Sequence, residues 1–212
     1  LIDSHKIDYS KLETLNVSRE TSLELDEFKE MILDENKKIN LISQHTEELA
    51  RDRHIIDCAQ IVDLIDENHL SCTDLGSGSG LPGLVIAIIK KKQKSKMKFI
   101  LYEKSLKKSN FLKKVINKFE LNAEVINQNI FDQKKINSDL IVARAFKPLP
   151  VILDLVMKNF DDFKDIILFL GKNGKSSIEQ TLKKWNLEFI EKKSVTEKDS
   201  IIIKINKVSK KK

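Results

Sequence analysis

Several residue types are scarce in this chain of 212 residues, and each scarcity excludes a class of protein. Two cysteines, Cys58 and Cys72, are too few for a disulfide framework and fit buried thiols in a reducing compartment. No apolar run approaches the roughly 20 residues that span a bilayer, and the first residues show no apolar signal-peptide core. We therefore expect a cytoplasmic protein without a membrane segment.

Aromatic residues make up only 6% of the chain, which argues against a surface built to stack single-stranded bases. The formal net charge is +6, which favours a polyanionic partner. Because lysine is spread along most surface segments, this charge alone does not identify the partner as nucleic acid. No metal-ligand spacing connects a histidine with either cysteine, so we expect no metal site.

Glycine is scarce as well, yet four of the six glycines lie between Asp74 and Gly83. Such a cluster marks backbone that turns tightly or comes close to another group, where a side chain would interfere. The apolar stretch at 70–75 is typical of a buried strand, and the run at 84–89 predicts a helix that Pro82 can start at its first position. Strand, glycine loop and helix together indicate a nucleotide-binding α/β domain.

Helical patterns come first along the chain, and strands and helices alternate after them. Apolar residues at helical spacing over 22–39 and 47–65 predict an N-terminal helical layer, 1–69, packed on a core formed by 70–212. The alternation predicts a mostly parallel sheet with helices on both faces, and two successive strands at the end predict an antiparallel edge. The predicted strands after the glycine loop are 97–102, 123–127, 139–143, 166–170, 187–195 and 200–208, and the predicted helices are 106–119, 151–160 and 176–185.

Two cofactors fit the glycine loop. Residues 78–83 match G-x-G-x-x-G, the fingerprint of dinucleotide-binding domains, whereas residues 74–80 match D-x-G-x-G-x-G, the first motif of class I S-adenosylmethionine-dependent methyltransferases. Because the apolar run ends at Leu75, Asp74 lies at the strand end, where its carboxylate can face the cofactor's amino group. This position favours the methyltransferase motif. Glu103, directly after the second strand, can accept two hydrogen bonds from a ribose diol, which both cofactors carry.

Further segments resemble one family, the RsmG (GidB) 16S rRNA guanine-N7 methyltransferases of bacteria. The resemblance covers residues 20–207 and includes the extension of the loop motif by Leu81-Pro82-Gly83. The other matching segments are N-K-K-I-N-L-I-S at 36–43, R-H-I-I-D at 53–57, K-K-S-N-F-L at 107–112, R-A-F at 144–146 and I-K-I-N-K at 203–207. The resemblance implies a class I methyltransferase fold, S-adenosylmethionine as methyl donor and one guanine of 16S rRNA, in the small ribosomal subunit, as acceptor.

The resemblance also implies roles for individual residues. Gly76 and Leu81 would line the cofactor, while Ile130 and Phe131 would flank its adenine. Arg144 would lie beside the methionine moiety and the target base. The predicted cofactor-binding residues are Asp74, Gly76, Ser77, Gly78, Gly80, Leu81, Glu103, Ile130, Phe131 and Arg144.

Two segments depart from the family pattern. Asn129 and Phe131 stand where an arginine and an acid are common, so an adenine contact there would use the backbone or stacking. A Lys-Gly pair appears reversed, as Gly171-Lys172. Cationic side chains near the cofactor are the candidates for contacts with RNA phosphates. These candidates are Lys37, Lys38, Arg53, His54, Lys172 and Lys198.

Guanine N7 carries a lone pair and no proton, so its methylation needs no general base. The sequence agrees with this requirement, because it contains no Asn-Pro-Pro-Tyr motif and no arrangement typical of a nucleophilic cysteine. We expect catalysis by alignment and electrostatic fit, with Arg144 as the positioning residue, in a monomeric enzyme. Two alternatives remain open, an NAD-dependent oxidoreductase using the overlapping G-x-G-x-x-G and a non-catalytic RNA-binding protein on the same fold.

Overall fold

The computed structural model describes residues 12, 15 and 17–211, and a seven-stranded sheet forms its centre. The strands are β1 (Ser71–Leu75), β2 (Lys98–Tyr102), β3 (Ala123–Ile126), β4 (Ile136–Asn137), β5 (Leu140–Arg144), β6 (Phe160–Asp162), β7 (Asp165–Leu170), β8 (Trp185–Lys193) and β9 (Ile201–Lys210). All of them except β4 and β6 belong to the seven-stranded sheet. The helices are α1 (Arg19–Asn36), the single turn α2 (Asp57–Ala59), α3 (Gly83–Lys92), α4 (Leu106–Lys118), α5 (Leu149–Asn159) and α6 (Gly174–Leu182).

The strand order is β3-β2-β1-β5-β7-β9-β8. The first five strands in this order run parallel, and β9 is antiparallel to both of its neighbours, β7 and β8. This confirms the predicted fold class, a mostly parallel sheet with an antiparallel C-terminal edge. The chain moves outward from β1 to β3 and then returns to the other side of β1 as β5. Sheets of this kind bind ligands beyond the carboxyl ends of the strands at such a reversal.

Apolar side chains form one cluster on each face of the sheet. Successive residues of β5 belong to different clusters, because successive side chains of a strand point to opposite faces. The first cluster joins Phe28 of α1 with Ile86 of α3 and Phe111 of α4, so the N-terminal helix and the sheet share one core. The second joins Leu153 of α5 with Trp185 at the start of β8. The division between 69 and 70 stays a prediction.

Residues 47–65 do not form the single helix that their apolar spacing predicts. A 3₁₀ turn (Gln44–Thr46) comes first, a π-helical segment (Arg51–Ile56) leads into α2, and a second 3₁₀ turn (Val62–Leu64) follows. Apolar spacing identifies the buried face of a segment, but it does not report which carbonyl each N–H bonds. The wider π-helical register, in which the N–H of Asp57 donates to the carbonyl of Asp52, therefore leaves no sequence signal.

Other differences are local. The parallel pair of β4 and β6 was not predicted, since strands of two and three residues are too short to show alternation. Helix α3 begins at Gly83, with Pro82 as its N-cap rather than its first residue. Cys58 and Cys72 are buried free thiols. Within the part of the chain that the structure describes, no helix has the length and apolar character needed to cross a membrane.

Candidate active site

A cavity of about 860 Å³ lies at the carboxyl ends of β1, β2 and β5, within the size range of small-molecule sites. The π-helical segment and the loop between β8 and β9 complete its wall. The structure places most of the predicted cofactor-binding residues on this wall. These are Gly76, Ser77, Gly78, Leu81, Glu103, Ile130, Phe131 and Arg144.

The glycine loop after β1 depends on backbone angles that favour glycine. Gly76, Gly78 and Gly80 have φ angles of +67°, +57° and +88°. The ring of Phe146 packs directly on Gly76, where a Cβ atom would collide with it. At Gly80 a Cβ atom would lie 2.5 Å from Cδ1 of Leu84. At Gly78 the nearest atom to such a Cβ would be 3.8 Å away, so the loop backbone is open at Gly78 and tightly packed at Gly76 and Gly80. Gly80 serves this packing and does not line the cavity.

Asp74 lies beneath the loop and does not line the cavity. Its Oδ2 accepts a hydrogen bond of 3.1 Å from the N–H of Gly83, which fastens the start of α3 to the end of β1. Its Oδ1 is buried and has no hydrogen-bond partner within the described residues. Burial raises the pKa of this carboxyl to about 7. A direct contact of Asp74 with a cofactor stays a prediction.

Glu103 stands on the cavity wall at the end of β2. One carboxylate oxygen, Oε2, accepts from the N–H of Gly78 at 2.9 Å, and the other, Oε1, accepts from the N–H of Ser105 at 2.7 Å. These two bonds hold the carboxylate against the glycine loop. Each oxygen keeps a second lone pair, so the group can still accept hydrogen bonds from a diol in the cavity.

Two phenylalanine rings form an apolar part of the wall. The rings of Phe131 and Phe146 are stacked with their centroids 5.9 Å apart and their planes at 26°. Phe131 is 37% exposed, whereas the neighbouring Ile130 is buried. The buried amide of Asn159, at the end of α5, donates to the carbonyl oxygens of Ile130, Phe131 and Gln133 and so fixes the turn that carries Phe131.

Arg144, at the end of β5, is held by three hydrogen bonds to the N-terminal segment. Its Nε donates to Oδ2 of Asp57 at 3.1 Å, and its Nη2 donates to the carbonyl of Arg53 at 2.7 Å and to Nδ1 of His54 at 3.2 Å. A guanidinium has five N–H donors in a planar fork. The two on Nη1 have no partner among the described residues, and they are the donors left for a ligand.

Asp57 connects Arg144 to the loop between β8 and β9. While Oδ2 accepts from Arg144, Oδ1 accepts from Nε2 of Gln60 at 2.8 Å, Oγ of Ser194 at 3.2 Å and Oγ1 of Thr196 at 2.9 Å. Both carboxylate oxygens are therefore occupied. Asp57 joins β5, the π-helical segment and the C-terminal hairpin at a single point on the cavity wall.

His54 is neutral and has one defined tautomer. Because arginine can only donate, Nδ1 of His54 accepts from Arg144, and the ring proton lies on Nε2, which donates to Oγ1 of Thr46 at 2.9 Å. The Thr46 hydroxyl donates in turn to the carbonyl of Ser43 at 2.8 Å. Burial, together with the positive charges of Arg144 and Arg53, lowers the pKa of His54 to about 4.

Comparison with known proteins agrees with this architecture. A family model described as rRNA small subunit methyltransferase G matches residues 22–204. A protein with that name from Pelagibacter ubique is 50% identical over 205 residues, which is 96% of this chain and 96% of that protein. The chain belongs to the rRNA small subunit methyltransferase G family. The family predicted from the sequence is thereby confirmed.

Another member of the methyltransferase G family is more distant. A protein of the same name from Rickettsia bellii is 32% identical over 196 residues, covering 92% of this chain and 98% of that protein. Among solved structures, a putative transferase from Pyrococcus horikoshii gives a TM-score of 0.55 at 16% identity, covering 82% of this chain and 67% of that one. The 16S rRNA methylase RmtB gives 0.54 at 12% identity, covering 90% and 76%. These two structures support the fold alone.

The residues predicted to bind RNA do not all lie at the same place in the structure. In this member of the methyltransferase G family, Arg53 and His54 line the cavity, and Arg53 forms an ion pair with Glu197. Lys37 is exposed and pairs with Asp34 at 2.8 Å. Three further candidates are exposed and lie off the cavity wall; these are Lys38, Lys172 and Lys198. Contacts of these six residues with RNA stay predictions.

Several residues that line or support the cavity wall of this methyltransferase G chain were not predicted as site residues. Asp57 belongs to the R-H-I-I-D segment that carried the resemblance, so its position in that segment could have identified it. Asn159 gave no sequence signal, since an asparagine at the end of an apolar helix is typical of a helix terminus. Lys104, Lys108 and Lys147 also line the cavity. No group of His, Cys, Asp and Glu within 12, 15 and 17–211 could hold a metal ion.

Proposed function

We propose that the chain transfers the methyl group of S-adenosylmethionine to N7 of one guanine in 16S rRNA. Family membership makes the chain an rRNA methyltransferase. The observation that carries the finer proposal is that the glycine loop, the Glu103 carboxylate and the free end of Arg144 border a single cavity. We propose as its substrate 16S rRNA of the small ribosomal subunit, which a monomeric enzyme methylates in the cytoplasm.

The residues on the wall fit S-adenosylmethionine. Gly78 has open space beside its Cα, which allows close approach of a ligand's methionine part to the loop. Glu103 offers lone pairs for a ribose diol, and the exposed ring of Phe131 offers an apolar surface for adenine. The cofactor, when bound, supplies a methyl group on a positively charged sulfur. The cavity of about 860 Å³ also leaves space for a base beside it.

The hydrogen bonds that the wall residues already make support N7 as the acceptor atom. The lone pair of N7 carries no proton that a general base would have to remove. Glu103 accepts from two N–H groups, Asp57 accepts from four donors, and Glu197 is paired with Arg53. Burial raises the pKa of Tyr102 and keeps its phenol protonated. The remaining candidate, His54, uses its lone pair to bind Arg144. Rate enhancement then comes from alignment and electrostatic fit, which Arg144 can supply.

Family membership disfavours the dinucleotide alternative. The hydrogen bond made by Gly83, the third glycine of G-x-G-x-x-G, also disfavours it. The N–H of Gly83, at the start of α3, donates to Asp74. A Cβ atom there would lie 2.6 Å from Oδ2 of Asp74. This helix start binds a carboxylate of the protein itself, whereas a dinucleotide fingerprint keeps it for pyrophosphate.

The test is methyl transfer from radiolabelled S-adenosylmethionine to small ribosomal subunits purified from cells that lack this gene. Strand scission at N7-methylguanine maps the product. We expect label at one guanine, and a loss of label of about 100-fold with Arg144→Ala. Label on another atom or another RNA would refute the N7 proposal, while absence of label on subunits and on deproteinised rRNA would refute the 16S rRNA substrate.

Asn159 is expected to matter for cofactor binding although it does not contact the cavity. Asn159→Ala removes the amide that fixes the turn at Ile130 and Phe131, so the adenine surface loses its defined position. We expect cofactor affinity, measured by calorimetry with S-adenosylhomocysteine, to fall about 10-fold.

Asn122→Ala is the matched control for this variant. The Asn122 amide also donates to two backbone carbonyls, those of Lys96 and Met97, but at the far edge of the sheet. We expect it to leave the affinity within about twofold of the wild type. Equal affinities in the two variants, both folded by circular dichroism, would contradict the role of Asn159.

A further inference from the structure

The charged side chains on the cavity wall do not cancel completely. Five cationic and three anionic side chains line the cavity. Arg53 pairs with Glu197, Arg144 pairs with Asp57, and the third acid, Glu103, accepts two backbone N–H groups. The three cations left over form a group that we name the lysine rim, which consists of Lys104, Lys108 and Lys147.

The lysine rim lies on the two segments that follow β2 and β5, the strands on either side of β1. Lys104 comes directly after Glu103 at the end of β2, and Lys108 lies in the first turn of α4, where its N–H bonds Oγ of Ser105. Lys147 follows β5, three residues after Arg144. None of the three rim lysines has an ion-pair partner in the described part of the chain. The cavity wall therefore carries three positive charges that are not paired with a described acid.

Three exposed lysines at the opposite edge of the sheet do have ion-pair partners. Lys98 at the start of β2 pairs with Glu124 at 3.0 Å, and Lys164 before β7 pairs with Asp139 at 2.8 Å. Lys118, in the last turn of α4, pairs with Glu27 at 2.8 Å. These lysines are balanced by acids, although their side chains are 50%, 54% and 53% exposed.

We propose that the lysine rim binds phosphate groups of the RNA strand on either side of the target guanine. This inference rests on the proposed function and names the surface through which the RNA is held. An ammonium on a flexible stem suits phosphate contacts, which position a strand without reading its sequence. The sequence-based candidates Arg53 and Lys37 are less suited, because Glu197 and Asp34 already balance their charges.

The test compares the salt dependence of binding to unmethylated small ribosomal subunits. The rim variant carries Lys104→Gln, Lys108→Gln and Lys147→Gln. The control variant carries Lys98→Gln, Lys118→Gln and Lys164→Gln, and so removes the same charge from the opposite edge. Binding is measured by sedimentation between about 50 and 250 mM KCl, because each phosphate contact adds about 0.7 to 0.9 to the slope of log K against log salt.

We expect the rim variant to reduce this slope by about 2 and the control variant to reduce it by less than about 0.5. Arginine at the three rim positions is expected to restore the slope, because it keeps the charge. Equal slopes in the rim and control variants would overturn the proposal, since net charge alone would then explain binding. A rim variant with weaker S-adenosylhomocysteine affinity and an unchanged slope would also overturn it and assign the lysines to the cofactor.

Failure of the proposed function gives a different result. If the wild-type protein neither methylates nor binds the subunits, the substrate itself is wrong, and the rim proposal falls with it. If the wild type methylates them and the rim variant binds with the wild-type slope, only the rim proposal is overturned.

Discussion

Asp57→Asn is expected to lower the rate of methyl transfer about 100-fold while the protein stays folded. An asparagine has one acceptor oxygen, whereas the Asp57 carboxylate serves Arg144 with Oδ2 and three other donors with Oδ1. In one orientation the new NH₂ group faces Nε of Arg144, which can only donate. In the other it faces Nε2 of Gln60, which also only donates, and the hydroxyls of Ser194 and Thr196, which must turn to accept from it. In both orientations the guanidinium loses its charge partner, and in the first it also loses the acceptor that fixes its plane.

The rate constant at saturating S-adenosylmethionine and subunits is the quantity to measure. Asp63→Asn is the control, because Asp63 lies in the adjoining 3₁₀ turn and forms an exposed ion pair with Lys192 at 2.6 Å, away from Arg144. We expect it to change the rate less than about twofold, as is usual for exposed pairs.

A double-mutant cycle distinguishes positioning from general loss of structure. If Asp57 acts through Arg144, then Asp57→Asn should cost less than about threefold in a protein that already carries Arg144→Lys. Multiplicative losses in the double variant, or a rate within about threefold of the wild type for Asp57→Asn alone, would contradict this role.

The sequence predicted the fold well because its strongest signals are local and physical. The glycine cluster predicts a tight loop, and Gly76, Gly78 and Gly80 adopt φ angles above +50° there. The apolar stretches predict buried strands, which form as β1, β5 and β7. Family membership was predictable for the same reason, since the ordered segments around this loop are specific. Most predicted cofactor-binding residues line one cavity because parallel strands bring their following loops to one edge.

The features that escaped prediction depend on contacts between distant parts of the chain. Asp57 and Ser194 are 137 positions apart, so their hydrogen bond has no trace in either segment. Whether a lysine is balanced is equally non-local, as Lys118 and its partner Glu27 show. The π-helical register at Arg51–Ile56 follows from hydrogen bonds that apolar spacing does not report.

Two buried titratable groups are expected to give opposite dependences of stability on pH. The pKa of His54 in the folded protein is about 4, below its ordinary value of 6.5. Between these values the unfolded chain binds a proton that the folded protein does not, so acidification destabilises the fold. The pKa of Asp74 is about 7 in the folded protein, above its ordinary value of 3.8. In that interval the folded protein holds the extra proton, so raising the pH destabilises the fold.

Because the two intervals overlap, the two contributions oppose each other in the wild-type protein. Each amounts to about 2 kcal/mol in the free energy of unfolding between about pH 4.5 and 6.5. Asp74→Asn removes one of them, so stability should rise with pH by about 2 kcal/mol more than in the wild type. His54→Gln, which can still accept from Arg144, removes the other, so stability should fall with pH by a similar amount relative to the wild type.

Urea unfolding of the wild type, the two single variants and the double variant at both pH values measures these changes. Titrations of the remaining carboxylates are common to all four proteins, so they cancel when each variant is compared with the wild type. The double variant should return to the pH dependence of the wild type, because it lacks both groups. A change of the same sign in both single variants would show that the burial of Asp74 or the neutral, arginine-bound state of His54 is wrong. If His54→Gln is the variant with the unexpected sign, the hydrogen bond from Arg144 to Nδ1 of His54 could not stand as part of the cavity wall.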